Sequence, residues 1–296
     1  MITGSIVALV TPMHLDGSID WQALELLLDW HALAGTAAIV AVGTTGESAT
    51  LNMAEHISVI AHCVEFLDGR IPVIAGTGAN STSEAIELTQ AAAAAKVFAC
   101  LLVTPYYNRP SQRGLLAHFR AVAEAVPIPQ LLYNVPSRTA VDLADATTLE
   151  LAGVDNIIGI KDATGDLERG RALLARVPEG FAVYSGDDAT ASDYILAGAA
   201  GNISVTANIV PERVAEICAA ALAGDVARVK ELHTALTPLN DVLFIEANPM
   251  PVKYALAQLD RMQAGIRLPL VLPEGEVAAA IDAVLAELAM LPGHGQ

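Results

Sequence analysis

The stretch "NIIGIKDATGD", residues 156–166, arranges three isoleucines around a glycine and ends its apolar run on a lysine. Only four lysines occur in 296 residues, so an ammonium at this point is not general solubility chemistry. The run is short, rich in β-branched residues and closed by turn residues, which predicts a buried strand. Seven further runs share its form: "SIVALVTP" (5–12), "AAIVAVGTTGE" (37–47), "IPVIAGTGAN" (71–80), "VFACLLVTPYY" (97–107), "IPQLLYNVPSR" (128–138), "FAVYSGDD" (181–188) and "GNISVTANI" (201–209). Each leads through a polar turn into a longer segment of helical spacing.

Helix starts are legible between the runs. Asn52 with Glu55, and Ser81 with Glu84, have the spacing of a cap and its reciprocal carboxylate. Pro211 stands where a first-turn proline is tolerated. Continuously apolar strands alternating with helices predict a parallel sheet covered on both faces. Eight such units predict closure into a (β/α)8 TIM barrel, an α/β fold. After residue 222 the pattern is purely helical, giving a barrel over 1–222 and a helical extension over 223–296 packed on it, of about three helices. An open doubly wound sheet is the competing architecture, and no GxGxxG follows the first strand to support it.

A hydrophobic fraction of 53% is enough for a large core. The net charge of -17 argues against nucleic acid, whose phosphates demand a basic face, and against an anionic membrane surface. One or two local arginines can still hold an anionic substrate at short range. Cys63, Cys100 and Cys218 are odd in number and form no CxxC pair, as expected of reduced thiols in a cytosol. The first residues carry no basic leader, and Lys96 interrupts the longest alanine-rich run below the ~18 residues of a membrane span. The expectation is a cytoplasmic protein.

In such barrels the chemistry sits at the C-terminal ends of the strands. Here those ends present Thr11, then Thr44-Thr45-Gly46-Glu47, Thr77 and Asn80, and Tyr106-Tyr107. The later four present Tyr133-Asn134 with Arg138, Lys161-Asp162, Ser185-Gly186-Asp187, and Ser204 with Thr206. Desolvation disfavours an ammonium, so a lysine at the inner mouth of a barrel is suited to imine formation with a carbonyl substrate. The protonated imine then serves as an electron sink for making or breaking a neighbouring carbon–carbon bond. The bland alternative is an ion pair with Asp162 or Asp187.

Imine chemistry needs proton transfers, and no histidine stands at a strand end. Tyr133 and Tyr107 are placed to move protons in a relay; taken singly, each is more simply an aromatic on the barrel rim. Thr44 and Thr45 can supply hydroxyls, or merely turn the chain with Gly43 and Gly46. Arg138 can fork onto a carboxylate, or close a rim salt bridge.

Together "VALVTP", "GTTGES", "TPYYNRP", "YNVPSR", "GIKDATGD", "SGDD" and "EANPMPVK" resemble the pyruvate-dependent class I aldolase family, the group containing N-acetylneuraminate lyase and dihydrodipicolinate synthase. The likeness runs from the N-terminus through "GIRLPL" (265–270). It implies that Lys161 forms the imine with pyruvate, that Tyr133 shuttles protons, and that Thr44 links it to Tyr107. The residue matching Tyr107 completes a neighbouring subunit's site in this family, which implies a homo-oligomer, usually a tetramer built as a dimer of dimers. Thr45 and the backbone around Gly186 and Ile203 would hold the pyruvate carboxylate. No cofactor is implied.

"GTTGE" and "YNVPSR" look like the synthase branch, whose second substrate is L-aspartate-4-semialdehyde, on the diaminopimelate route to lysine. Arg138 would then bind the semialdehyde carboxylate and help position Tyr133. The alternative within the family is a lyase or aldolase for N-acetylneuraminate or 2-keto-3-deoxygluconate. The resemblance also implies an inhibitory site for L-lysine at Ser48, Ala49, His56, Asn80, Glu84 and Tyr106. Position 53, a histidine in some feedback-sensitive members, is Met53 here, which removes a polar contact.

Readings from other classes lack support. A barrel that only binds a keto acid would be expected to have lost the lysine or the tyrosine. The seven histidines form no HxH or HExxH pattern that would hold a metal. No phosphate cup for pyridoxal phosphate is evident.

Overall fold

The computed structural model describes residues 1–289. Eight parallel strands close into a barrel in chain order, with β8 pairing back onto β1. They are β1 (Gly4–Ala8), β2 (Ala38–Ala41), β3 (Val73–Gly76), β4 (Ala99–Val103), β5 (Gln130–Asn134), β6 (Ile157–Asp162), β7 (Ala182–Ser185) and β8 (Gly201–Ser204). The helices are α1 (Trp21–Leu33), α2 (Met53–Leu67), α3 (Thr82–Ala94), α4 (Gln112–Ala125), α5 (Pro136–Thr139) and α6 (Asp145–Leu151). There follow α7 (Leu167–Leu174), α8 (Ala191–Leu196), α9 (Pro211–Leu222), α10 (Val226–Val242), α11 (Met250–Gln258) and α12 (Gly275–Glu287).

Alternation at period two sorts the strands into two cores, apart from a register shift at the start of β6. Ile6 and Ala8, Ala38 and Val40, Ala99 and Leu101, Leu131 and Tyr133, and Ala182 and Tyr184 pack together as one cluster, the inside of the barrel. Their neighbours Val7, Ile39, Val73, Cys100, Leu132 and Val183 join a second cluster under the surrounding helices. Both faces are therefore apolar, which is why the sequence showed runs and no hydrophobic–polar alternation. Gly159 interrupts β6 for a steric reason: a Cβ there would meet the Ala182 carbonyl oxygen at 2.4 Å. That close approach of β6 to β7 leaves room for the glycine alone.

The apolar runs are longer than the strands. The second covers 37–47, but β2 ends at Ala41, and Val42 and Glu47 both take positive φ (54° and 58°). The remainder of the run is a tight loop. The cap over α2 forms as expected, with Asn52 and Glu55 exchanging hydrogen bonds at 3.0 and 3.1 Å. The expected cap over α3 does not. Ser81 turns its hydroxyl to Ser83 at 2.9 Å, and Glu84 lines a cavity instead. Pro211 opens α9.

The extension after residue 222 supplies three helices, α10 to α12, as expected; residues 290–296 lie outside the described residues. α10 packs on α8 and α9, and α12 packs on α10 and α11. What fastens α11 to the barrel is a buried charge. The Lys253 ammonium, fully buried, donates to the Thr11 carbonyl at 3.0 Å and to the equally buried carboxylate of Glu47. Thr11 in turn donates to the Gly46 carbonyl at 2.7 Å. One ammonium thus joins the ends of β1 and β2 to the C-terminal extension. Burial pulls Lys253 below the usual lysine range, while the Glu47 charge resists that shift. Arg267 adds a bidentate hold on Glu55 at 2.7 Å. No helix among the described residues is long and apolar enough to cross a membrane, and all three cysteines are buried and free.

Lys253→Met should leave Glu47 as an uncompensated buried charge and cost about 3–5 kcal/mol in denaturant unfolding. Adding Glu47→Gln to that variant should recover much of the loss. A single variant as stable as the parent would show that the clamp contributes nothing.

Candidate active site

Lys161 is the fifth residue of β6, with Tyr133 of β5 and Tyr184 of β7 opposite it in the ladder. Alternation turns its side chain inward, whereas Asp162 points to the helices, where its carboxylate accepts from the Tyr194 hydroxyl at 3.1 Å. The other Asp162 oxygen accepts from the Thr164 backbone at 3.0 Å. Asp187 accepts from the hydroxyl and the N–H of Thr190 at 2.6 and 3.2 Å. Asp162 is thus engaged elsewhere, and Asp187, which lines the same cavity as Lys161, spends one carboxylate oxygen on Thr190 and forms no ion pair with the lysine among the described residues. Lys161 is 5% exposed and forms no ion pair among the described residues. Its Nζ lies over the ring of Tyr133, 4.4 Å from the centroid.

These two side chains stand in a cavity of about 190 Å³ whose wall also contains Thr44, Thr45, Arg138 and Gly186. Six of the expected site residues therefore converge. Gly186 is there for space. A Cβ at this position would meet the Lys161 Cε at 2.7 Å, so only glycine lets the lysine pass. Its N–H already donates to the Asp162 carbonyl at 2.7 Å. Ile203, also expected, lies in the barrel interior and is not part of the cavity wall.

Tyr107 is apart. It is 89% exposed, holds a positive φ of 72°, and lines neither this cavity nor the next. No hydrogen bond among the described residues joins Thr44 to Tyr133 or to Tyr107. The expected relay is not closed within one chain.

A second cavity of about 360 Å³ adjoins the first. Thr44, Val135, Arg138 and Asn248 belong to both walls. Its own lining includes Ser48, Ala49, Met53, His56, Glu84 and Tyr106. Asn80 is outside the wall and donates to the Tyr106 carbonyl at 3.2 Å. The His56 Nε2–H is fixed by the Gly76 carbonyl at 2.7 Å, and burial holds this imidazole below its ordinary range. It is therefore neutral near pH 7, with Nδ1 as an acceptor. Burial, and then the charge of Glu84, raise the Tyr106 phenol above its ordinary value.

A buried amine without an ion-pair partner, beside a phenol and an arginine, is equipped for imine chemistry on a keto acid. The chain matches the family model described as the dihydrodipicolinate synthetase family over residues 1–288. The chain belongs to that family. A family member from Cellvibrio japonicus, a 4-hydroxy-tetrahydrodipicolinate synthase, is 60% identical over 270 residues, 91% of this chain and 93% of that one. A synthase of the same description from Alcanivorax borkumensis is 60% identical over 278 residues, covering 94% of each. Among solved structures, the chloride-inhibited dihydrodipicolinate synthase of Acinetobacter baumannii, complexed with pyruvate, superposes with a TM-score of 0.97 at 52% identity. That match covers 98% of this chain and all of the other. The enzyme of Cyanidioschyzon merolae with lysine bound gives 0.94 at 35% identity, covering 98% and 99%.

Two residues of the smaller cavity were missed from sequence. Phe244 and Asn248 both come from the segment between α10 and α11. The only signal was "EANPMPVK", whose polar residue between apolar ones assigns no role by itself. Asn248 accepts from the Arg138 guanidinium on its carbonyl at 2.9 Å and donates from its amide to Thr45 at 3.0 Å. The nearby Lys253 was missed as well, since its partner Glu47 is 206 positions away.

Proposed function

We propose that this chain is a 4-hydroxy-tetrahydrodipicolinate synthase, condensing pyruvate with L-aspartate-4-semialdehyde on the diaminopimelate route to lysine. The observation that carries the reading is a strand-end lysine, 5% exposed and without an ion pair among the described residues, in a family whose members bear that name. The Lys161 amine adds to the pyruvate carbonyl carbon, and loss of water gives the protonated imine. Removal of a methyl proton yields an enamine, which attacks the aldehyde carbon of the second substrate. The α-amine of that substrate then attacks the imine carbon, closing a ring and releasing Lys161. No cofactor is required for these steps.

Tyr133 is the proton shuttle in this reading, which its ring position against the Lys161 Nζ supports. Thr45 holds the pyruvate carboxylate. The backbone at Ile203 assists it from the strand below, and Gly186 keeps the space for the lysine. Arg138 binds the semialdehyde carboxylate as a guanidinium fork. Tyr107 serves the site of a second subunit through Thr44, and its exposure in a single chain supports that role. The working unit is accordingly a homo-oligomer, a tetramer made as a dimer of dimers. We assign it to the cytoplasm, in keeping with three free buried thiols.

L-Lysine is the inhibitor that suits the larger cavity. The Glu84 carboxylate offers a partner for an ammonium, the neutral His56 an acceptor, and Ser48, Ala49 and Tyr106 complete the wall, with Asn80 behind Tyr106. Met53 contributes an apolar surface there.

A coupled assay with pyruvate and L-aspartate-4-semialdehyde, titrated with L-lysine, should show turnover and its inhibition. Borohydride with pyruvate should add mass to the peptide carrying Lys161, and Lys161→Ala should abolish both adduct and turnover. Turnover with N-acetylneuraminate or 2-keto-3-deoxygluconate alone would overturn the substrate assignment.

Arg138→Ala should raise the KM for the semialdehyde by about tenfold or more, the loss of a charged hydrogen-bond pair, with a smaller effect on pyruvate. Equal losses for both substrates would count against the assigned role. Tyr107→Phe should lower turnover, and mixing it with Lys161→Ala during assembly should restore part of the lost activity. Absence of any recovery would return Tyr107 to its own subunit.

A further inference from the structure

Asn248 hydrogen-bonds to both expected carboxylate binders. Its side-chain Nδ2 donates to the Thr45 Oγ1 at 3.0 Å, and its carbonyl oxygen accepts from the Arg138 Nη2 at 2.9 Å. It is 5% exposed and belongs to the walls of both cavities. Five residues on, Lys253 anchors the same segment to Glu47 and Thr11.

A threonine hydroxyl has one hydrogen and two lone pairs. Where the hydroxyl oxygen accepts from Asn248, its own hydrogen is left off the amide, and Thr45, which lines the smaller cavity, can offer it to a bound molecule. That is the polarity a substrate carboxylate requires. If Thr45 donated to a protein acceptor instead, it would present lone pairs to the anion and repel it. The Arg138 contact acts differently, because it uses main chain: it fixes the guanidinium whatever side chain stands at 248.

We propose that Asn248 is a positioning residue for the condensation, its carboxamide orienting the Thr45 hydroxyl towards the pyruvate carboxylate and its carbonyl orienting Arg138 towards the second substrate. The inference rests on the functional reading above and assigns a role to the C-terminal extension. The barrel provides the reacting groups, and the segment between α10 and α11 sets how two of them point. Because side chain and main chain serve different substrates, changes to the side chain separate the two.

The test is steady-state kinetics together with direct imine trapping. Asn248→Leu keeps the branched shape and removes the donor. It should raise the KM for pyruvate about tenfold, leaving that for the semialdehyde within about twofold. Asn248→Asp keeps the size and presents only acceptors, so it captures the Thr45 hydrogen and should show the same selectivity. Circular dichroism melting of both variants checks that they are folded, and either one alone suffices for the comparison. In a Thr45→Val background, Asn248→Leu should add less than about twofold, since the hydroxyl it orients is gone.

A tenfold effect in both backgrounds, equal losses for the two substrates, or an Asn248→Asp variant with unchanged pyruvate KM would overturn the inference. Borohydride trapping without semialdehyde separates this from failure of the functional reading. If the parent protein traps pyruvate on Lys161 and the variants trap it at the same concentrations, the inference falls and the reading stands. If the parent protein never traps pyruvate, both fall.

Discussion

An amine buried without a counter-charge is the constraint around which this molecule is arranged. Burying an ammonium costs free energy unless a partner compensates it or the proton leaves. The chain buries two lysines and pairs only one of them with a carboxylate. Lys253 is fully buried and meets Glu47, so its charge is compensated and it binds the extension to the barrel. Lys161 is nearly as buried, yet Asp162 beside it is occupied by Tyr194 and Thr164, and Asp187 after β7 holds Thr190. Withholding those carboxylates matters as much as supplying the lysine. An Asp162 that faced inward would make Lys161 a second structural ion pair.

Period-two alternation explains how that withholding is enforced. Lys161 and Asp162 are adjacent, so they must face opposite sides of β6, one into the barrel and one under the helices. A shift of one residue in the register of β6 would exchange them. Gly159 and Gly186 protect the arrangement from both sides: the first admits the neighbouring strand, and the second admits the lysine stem.

Most of the fold was legible because each strand is buried on two faces and so reads as an unbroken apolar run. The chemistry at the strand ends was legible for the same reason, since a polar residue closing such a run stands out. Lys161, Tyr133, Thr44, Thr45, Arg138 and Gly186 converge on one cavity accordingly. What could not be read depends on distance or on local competition. Lys253 and Asn248 act on partners about two hundred positions away, and Phe244 reaches the cavity from a segment that reads only as helix and turn. Ser81 has the spacing of a cap, but Ser83 offers a nearer partner for its hydroxyl. Tyr107 reads as a strand-end residue although its strand, β4, stops at Val103 and the tyrosine extends into solvent.

Thr44, Val135, Arg138 and Asn248 belong to the walls of both cavities. Such a shared wall needs no hinge or domain rotation to carry a message. A molecule in the outer chamber that prefers one pose of Arg138 alters the inner chamber's grip on its own guest. By thermodynamic reciprocity the inner guest changes the outer affinity by the same factor.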